Sequence, residues 1–497
     1  MGWIDELYNL YENNCERTDL VVPMLPLSHS TANAQIEVVI DQRGNFQSAS
    51  RIDKADAETV IPVTNDSSAK TSGITPHPFA DKLIYIAGDY DKYVVGKKKD
   101  SSKYYEAYMT QLESWKQSIF SHEAVCALFQ YLQNATIMSD LISCGVLSIE
   151  EKSGCLKNGE KIAGIAQEDS FVRFRIFYDD MDKESRTWMD KTLYDSFISY
   201  YASVMEAEKA ELCYATGKNL PLTYKHPWKI RNARDKAKLI SSSDPEGFTY
   251  RGRFHNKEQA LSVSYDFSQK MHNGLKWIIN RQGINIENSL TLIVWESTLA
   301  EMPNPTLDFM SAFGFSFDDE NTKISDTYPA YRQQLLSSVM GRKTKLKPQS
   351  KTMVLGLDSA TTGRLSIVLY TELEGSEFLD NIEKWHLDTA WMRFNGKQRR
   401  TIINSFSLYE LIECAFGTEE GNFIRAKSGV IKDYMCRLIP CVIERRRIPV
   451  DLVQALINKV SNPLAYEFNY NWQKVLEASC GMIRKSYIEK GAKCEMA

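Results

Sequence analysis

The chain has 497 residues, 43% hydrophobic and 25% charged, which excludes a disordered, collagenous or low-complexity protein. Sixty Lys and Arg stand against 64 Asp and Glu, a formal net charge of −4 with a pI near 6.1. Such a chain does not coat nucleic acid over its whole surface, although a local basic groove on a near-neutral body stays open. At about 150 residues per domain, the length allows about three domains.

In chain order, residues 3–12 place Ile4, Leu7, Tyr8 and Tyr11 at helical spacing. Gln35–Ile40 is β-rich and runs into a turn at 42–45. Asn65–Pro78 is a polar loop, Lys82–Ala87 a short apolar run of strand type, and Lys97–Lys103 a basic loop. Tyr104–Phe120 and Glu123–Gln133 read as helices. Phe171–Phe177 alternates apolar and basic residues, a strand with one polar face. Trp188–Lys209 and Glu258–Arg281 are long helical patterns, followed by strands at Leu290–Trp295, Met353–Leu357 and Arg364–Tyr370. Leu408–Tyr470 reads mainly helical, as does Trp472–Ile488, and the chain then stops after a short polar tail, as a domain or a truncated product would. The expected class is α+β: a mixed domain over 1–160, a central mixed domain over 161–345 holding the basic segment 225–254, and a mixed, then helical part over 346–497. No fixed repeat is visible.

The first residues carry no basic-then-apolar leader, and no apolar run is long enough to span a membrane. Met1-Gly2 lacks the Ser or Thr that myristoylation needs, since Glu6 stands there. The ten cysteines have no C-x-x-C pair and read as buried thiols of a reducing cytoplasm. No P-loop, dinucleotide fingerprint or nucleophile elbow occurs. His122-Glu123 starts like a zincin helix, but Cys126 stands where the second His belongs. The nearest approach to a nuclease pair is His386-Leu-Asp388. Motifs therefore point away from an enzyme and call for no cofactor and no metal.

Basic stretches carry more. Lys225–Phe254 holds eight Lys or Arg residues against three acids, with Trp228, Phe248 and Tyr250 interleaved. Cations neutralise phosphates and rings stack on exposed bases; the plainer reading is a solvated helix face followed by a hairpin. Arg342–Lys347 reads as a solvated linker. Asp358–Arg364 is a small-residue turn whose hydroxyls, N–H groups and Arg364 suit a phosphate or simply close a hairpin. Arg393, Lys397, Arg399 and Arg400 form another patch, and Arg445-Arg-Arg447 precedes a helix start.

Several segments together resemble the large subunit of the type I-C CRISPR surveillance complex (Cascade). They are Trp3-Ile-Asp-Glu-Leu-Tyr8, Leu25-Pro-Leu-Ser-His-Ser-Thr31, Asn33-Ala-Gln-Ile-Glu37, Pro76-His-Pro-Phe-Ala-Asp-Lys-Leu83 and Ala87-Gly-Asp-Tyr90. Ile230–Ile240, Gly247–Phe254, Ala260–Tyr265 and Asp358–Ser366 continue the likeness, with Phe378–His386 a looser match. Members carry a further C-terminal helical domain, which the resemblance implies is missing here.

The resemblance implies a non-catalytic, cytoplasmic subunit. It implies that guide RNA pairs with the target strand while this chain reads a short TTC-like protospacer-adjacent motif (PAM) on the duplex, helps open it, and presents it to a separate helicase–nuclease. The implied partners are the backbone and guide-end-capping subunits, CRISPR guide RNA, target double-stranded DNA and that effector, with no membrane. Residues suited to DNA contact are Lys70, Thr71, Ser72 and Gly73 in one loop and Lys97, Lys98, Lys99 and Lys103 in the other. Arg231, Asn232, Lys236, Lys238, Arg251 and Arg253 in the basic segment, and Arg364, complete the set. The competing readings are an assembly scaffold that never touches the PAM and a metal-dependent nuclease.

Overall fold

The computed structural model describes all residues except 1, 18–21, 70–72, 96–99, 233–234, 242–252, 316–324, 362, 397–398 and 493–497, and the side chains of 257, 258, 360 and 361. Helices and several small sheets give an α+β protein. The chain divides into two compact units, one of residues 1–277 with 362–364, the other of 278–361 with 365–497. Residues 160 and 345, where the sequence suggests boundaries, fall inside these units.

In the first unit the run Ile36–Asp41 is almost wholly buried and forms the middle strand of a three-stranded sheet. It pairs antiparallel with Phe46–Arg51 and parallel with Val172–Phe177. The turn between the first two is closed by the Asp41 carboxylate, which accepts from the N–H groups of Arg43 and Asn45, with Gly44 at φ +79°. Parallel strands need a long crossover, and this one carries the helices Ser101–Gln117, Glu123–Gln133 and Ile137–Ser143. Their apolar faces bury Tyr108, Leu112, Trp115, Leu128 and Leu132 in one core with Ile36, Val38 and Ile40. His122 caps the second of these helices, its Nδ1 accepting from the Ala124 N–H at 3.1 Å; that is the role of the would-be zincin motif.

The alternating Arg173 and Arg175 of strand Val172–Phe177 do not make a solvated face. Both guanidinium groups converge on Glu37 of the neighbouring strand, at 2.7 Å each. Arg173 also lies 3.8 Å over the Trp188 ring. The Lys82–Ala87 run is not a strand: Leu83–Ile86 is a short helix with all four side chains buried, and only a single bridge, Lys82 to Phe171, joins the run to an extended segment. A short, fully buried apolar run has no periodicity to separate the two structures. Asn65–Pro78 opens on a helical turn, Asn65–Ser68, capped by Thr64. Glu258–Arg281 is interrupted, with a short helix Lys257–Ala260, then Val263–Ser264 as an edge strand on Asn219–Thr223, then the helix Tyr265–Gln282. The described residues of 225–254 contain no helix or strand, only an isolated bridge at Lys238. Pro227 and the left-handed backbone at Lys229, φ +57°, exclude a continuous helix there.

The second unit is built on a four-stranded sheet in the order Ile284–Ile286, Leu290–Glu296, Lys351–Thr361, Arg364–Glu374. Its strand Leu290–Glu296 is buried at every position. The helices Tyr328–Lys343, Gly375–Thr389, Leu408–Phe416, Ser428–Ile443, Val450–Val460 and Asn469–Glu489 share one apolar core with it. Arg342 and Lys343 close the first of these helices rather than forming a linker, and Arg445-Arg-Arg447 stays exposed. Of the cysteines, Cys213, Cys414 and Cys441 are buried, whereas Cys15, Cys126 and Cys144 are exposed; this corrects the expectation of uniformly buried thiols. Among the described residues no helix is long and apolar enough to cross a membrane.

Candidate nucleic-acid interface

The start of the basic segment is held by polar contacts to the turn Asn65–Ser68 and to the helix Tyr265–Gln282. Thr223 Oγ1 donates to Asn65 Oδ1 at 2.6 Å, and Lys225 Nζ pairs with Asp66 at 2.6 Å. His226 Nδ1 lies 2.9 Å from Ser268 Oγ, and His272 Nδ1 lies 2.7 Å from the Ser268 carbonyl. A bond to a carbonyl requires the His272 Nδ1 to carry the proton. Burial and the mutual proximity of the rings hold His226 down to about 3, and burial holds His272 down to about 4. Both imidazoles are neutral at pH 7, and among the described residues the Nε2 of each is buried without a hydrogen-bond partner.

Beyond His226 the chain turns through Lys229. Its N–H donates to the Asp235 carbonyl at 3.0 Å. Asp235 is the loop's internal anchor: it accepts from Arg231 Nε at 2.7 Å and from the Ala237 N–H at 3.0 Å. The Arg231–Asp235 pair is buried, with side-chain exposures of 8% and 5%. Arg231, expected at a DNA contact, is therefore neutralised inside the loop; breaking such a pair strands a buried charge. Lys238 does the opposite. Its Nζ lies 3.4 Å from the Ala69 carbonyl and its N–H donates to Gly363 at 3.1 Å, with a parallel bridge from Lys238 to Arg364. Three stretches singled out in the sequence thus meet at one place: the residue before Lys70, the basic segment, and the turn ending in Arg364.

Several lysines here lie close enough for their charges to act on one another. Lys276 stands one turn beyond His272 on the same helix. Burial, then the charge of Lys229, lowers it to about 8. Lys229 is lowered by burial, then by the charge of Lys82. Lys238 is lowered by burial, then by the charge of Lys225. Among the described residues, Lys82, Lys229, Lys236 and Lys276 have no ion pair. Burial and like charge disfavour the charged forms of Lys229 and Lys276, and an external anion beside them would stabilise those charges.

The remaining expected residues divide as follows. Gly73, Asn232, Lys236, Arg253 and Arg364 are exposed. Lys103 is exposed at the start of its helix and paired with Asp100 at 3.3 Å, with no bond to the lysines above. Lys70, Thr71, Ser72, Lys97, Lys98, Lys99 and Arg251 lie outside the described residues. The sequence reading missed Lys82 and Lys276 and did not single out Lys229. One signal for Lys276 was present: a lysine four residues after His272 and eight after Ser268, on a helix face that is otherwise buried.

Elsewhere the candidate nuclease pair dissolves. His386 is buried against Ser405 Oγ at 2.8 Å, and Asp388 is taken by Lys384 and Lys485. Among the described residues no three His, Cys, Asp or Glu side chains are grouped to hold a metal.

No curated protein matches the chain at a level that shows kinship. The family model described as CRISPR-associated protein (Cas_Csd1) matches residues 7–496. A match over nearly the whole length, covering both units and the lysine-rich surface, shows that the chain belongs to this family of CRISPR-associated proteins.

Proposed function

We propose that this chain is the non-catalytic large subunit of a type I-C guide-RNA surveillance complex, that it grips target double-stranded DNA through the first unit, and that it reads a TTC-like PAM with the loop around residues 70–73. In this reading, sequence is supplied by guide–target pairing, and the protein contributes phosphate contacts, PAM reading, duplex opening and recruitment of a helicase–nuclease. The guide RNA, the backbone and guide-end-capping subunits and that effector are its partners.

One observation carries the reading: Lys82, Lys229 and Lys276, without an ion pair among the described residues, lie on the same unit as Lys238, whose amine reaches Ala69 beside the loop. A chain of net charge −4 has no general attraction for DNA, so a local cluster of uncompensated cations is the feature that asks for a polyanion. The test is duplex binding by the reconstituted complex with and without this chain, on targets with TTC and scrambled PAMs. PAM-dependent binding that requires the chain is the expected result. Equal binding to both targets removes PAM reading and leaves a scaffold.

A further inference from the structure

The second unit contains an open cavity of about 920 Å³. It is bounded by the hairpin of Trp391–Asn395 with Arg400–Asn404, the hairpin of Thr418–Glu420 with Phe423–Arg425, the helix Leu408–Phe416 and the first turn of Asn469–Glu489. Phe394, Phe423 and Tyr470 line it while remaining 52%, 63% and 49% exposed. Alternation in the first hairpin puts Met392 and Phe394 on the outer face of the strand. Rings left in water around one concavity mark a binding surface more than a core defect.

The polar groups of the cavity fall into two sets. Arg393 is engaged, bonded to Glu410 and to the Ser405 carbonyl, and Lys474 lies 3.9 Å from the same Glu410. Glu413 and Arg425 are not engaged: among the described residues neither side chain makes a hydrogen bond or ion pair. Arg425 sits 5.8 Å from the centre of the Phe423 ring. Burial raises the Glu413 carboxyl above its ordinary range. The cavity therefore offers π faces and, without hydrogen bonds or ion pairs among the described residues, the Glu413 acceptor and the Arg425 cation, with the charges of Lys474 and Arg425 acting on Glu413. Arg399 and Arg400 are exposed at the end of the first hairpin.

We propose that this cavity binds an unpaired nucleotide of a single-stranded nucleic acid, its base stacked on the exposed rings, its exocyclic amino group donating to Glu413 and its phosphate held by Arg425. Aromatic faces accept any base, whereas a carboxylate acceptor favours cytosine, which carries an amino group, over thymine, which does not. A peptide ligand would use the rings but has no fixed need for the Arg425 charge beside them. The proposal goes beyond the function above and does not rest on it, because its residues are in the other unit.

The test is fluorescence anisotropy of labelled dC6, dT6 and an abasic hexamer with the full chain. Binding of dC6 several-fold tighter than dT6, and about tenfold tighter than the abasic strand, is expected from stacking plus one hydrogen bond. Phe423→Ala should weaken dC6 about tenfold, and Glu413→Ala should abolish the preference for dC6 over dT6. Phe423 is exposed, so an unchanged melting temperature verifies that its variant is folded. Lys229→Gln with Lys276→Gln should keep the preference, whatever becomes of duplex binding. Loss of the preference in that variant, equal binding of dC6 and the abasic strand, or unchanged dC6 binding after Phe394→Ala with Phe423→Ala overturns the proposal. So does a result in which that last pair releases other subunits from the complex while dC6 binding persists, which identifies a protein seat.

Discussion

At the scale of single residues, Lys276 is the informative one, because its effect on stability and its proposed role at DNA pull in opposite directions. Its amine is lowered to about 8 by burial and by Lys229, against about 10.4 for a free lysine. The sign follows from linkage. Between those values the unfolded chain holds a proton that the folded chain has released, so stability rises with pH across that window. Below about pH 8 the folded protein carries the full cost of the charge, roughly 1–3 kcal/mol after solvent screening. Lys276→Met should therefore raise the denaturation midpoint at pH 7, with the gain shrinking by pH 10, and should weaken duplex binding at the same time. A bound phosphate restores the proton, so wild-type duplex affinity should fall as pH rises through about 8, and Lys276→Arg should flatten that fall. A Lys276→Met protein that is less stable at pH 7, or an Arg variant with the wild-type pH profile, would show that the amine has a structural partner instead. Little of this is legible in the sequence: Lys276 stands in no basic run, and its meaning comes from Lys229, 47 positions away.

At the scale of elements, the helix carrying Lys276 is placed by close packing on the helix Trp3–Glu12. A Cβ on Gly274 would lie 2.6 Å from the Leu7 carbonyl oxygen, so the two backbones touch. Around that contact Tyr8 stacks on Phe267 with centroids 4.8 Å apart, Lys270 bridges Glu12 and Asp266, and Trp277 Nε1 donates to the Val22 carbonyl at 2.8 Å. Gly274→Ala must separate the helices, and overpacking of this kind costs about 1–3 kcal/mol. Gly341, in the exposed part of Tyr328–Lys343, has nothing within 4 Å of its would-be Cβ; there alanine should stabilise by about 0.5–1 kcal/mol through helix propensity. Urea midpoints moving in opposite directions check both, and a neutral Gly274→Ala would deny that the contact is tight. The helices Trp3–Glu12 and Glu123–Gln133 are readable from their period, and the strand at 36–41 from its β-branched residues. Leu83–Ile86 and the break at 261–264 were not, since four buried apolar residues fit either structure and an edge strand of two residues has no period.

At the scale of the whole molecule, charge composition and charge placement say different things. Net charge near zero leaves only a local site open to a polyanion, and the clusters that are conspicuous in one dimension are unequal in three. Arg231 is spent inside its own loop, while Lys82, Lys229 and Lys276, separated by almost 200 positions, act on one another. Sequence order shows charge runs; it does not show which charges are already neutralised by a neighbour such as Asp235, and on the proposed duplex binding that distinction decides which of them release counterions. Each phosphate contact contributes about 0.9 to the log–log salt slope of duplex binding. Replacing Lys82, Lys229 and Lys276 together by Gln should therefore lower the slope of the complex by about 2–3, equally for TTC and scrambled targets, because phosphate contacts carry no sequence. Arg231→Gln should leave the slope within about one contact of wild type while lowering the thermal midpoint, since Asp235 is then stranded. Salt titrations of both variants on both targets separate the two kinds of cation. A slope reduced by Arg231→Gln and untouched by the triple lysine change would reverse the assignment and return the DNA contact to the residue the sequence favoured.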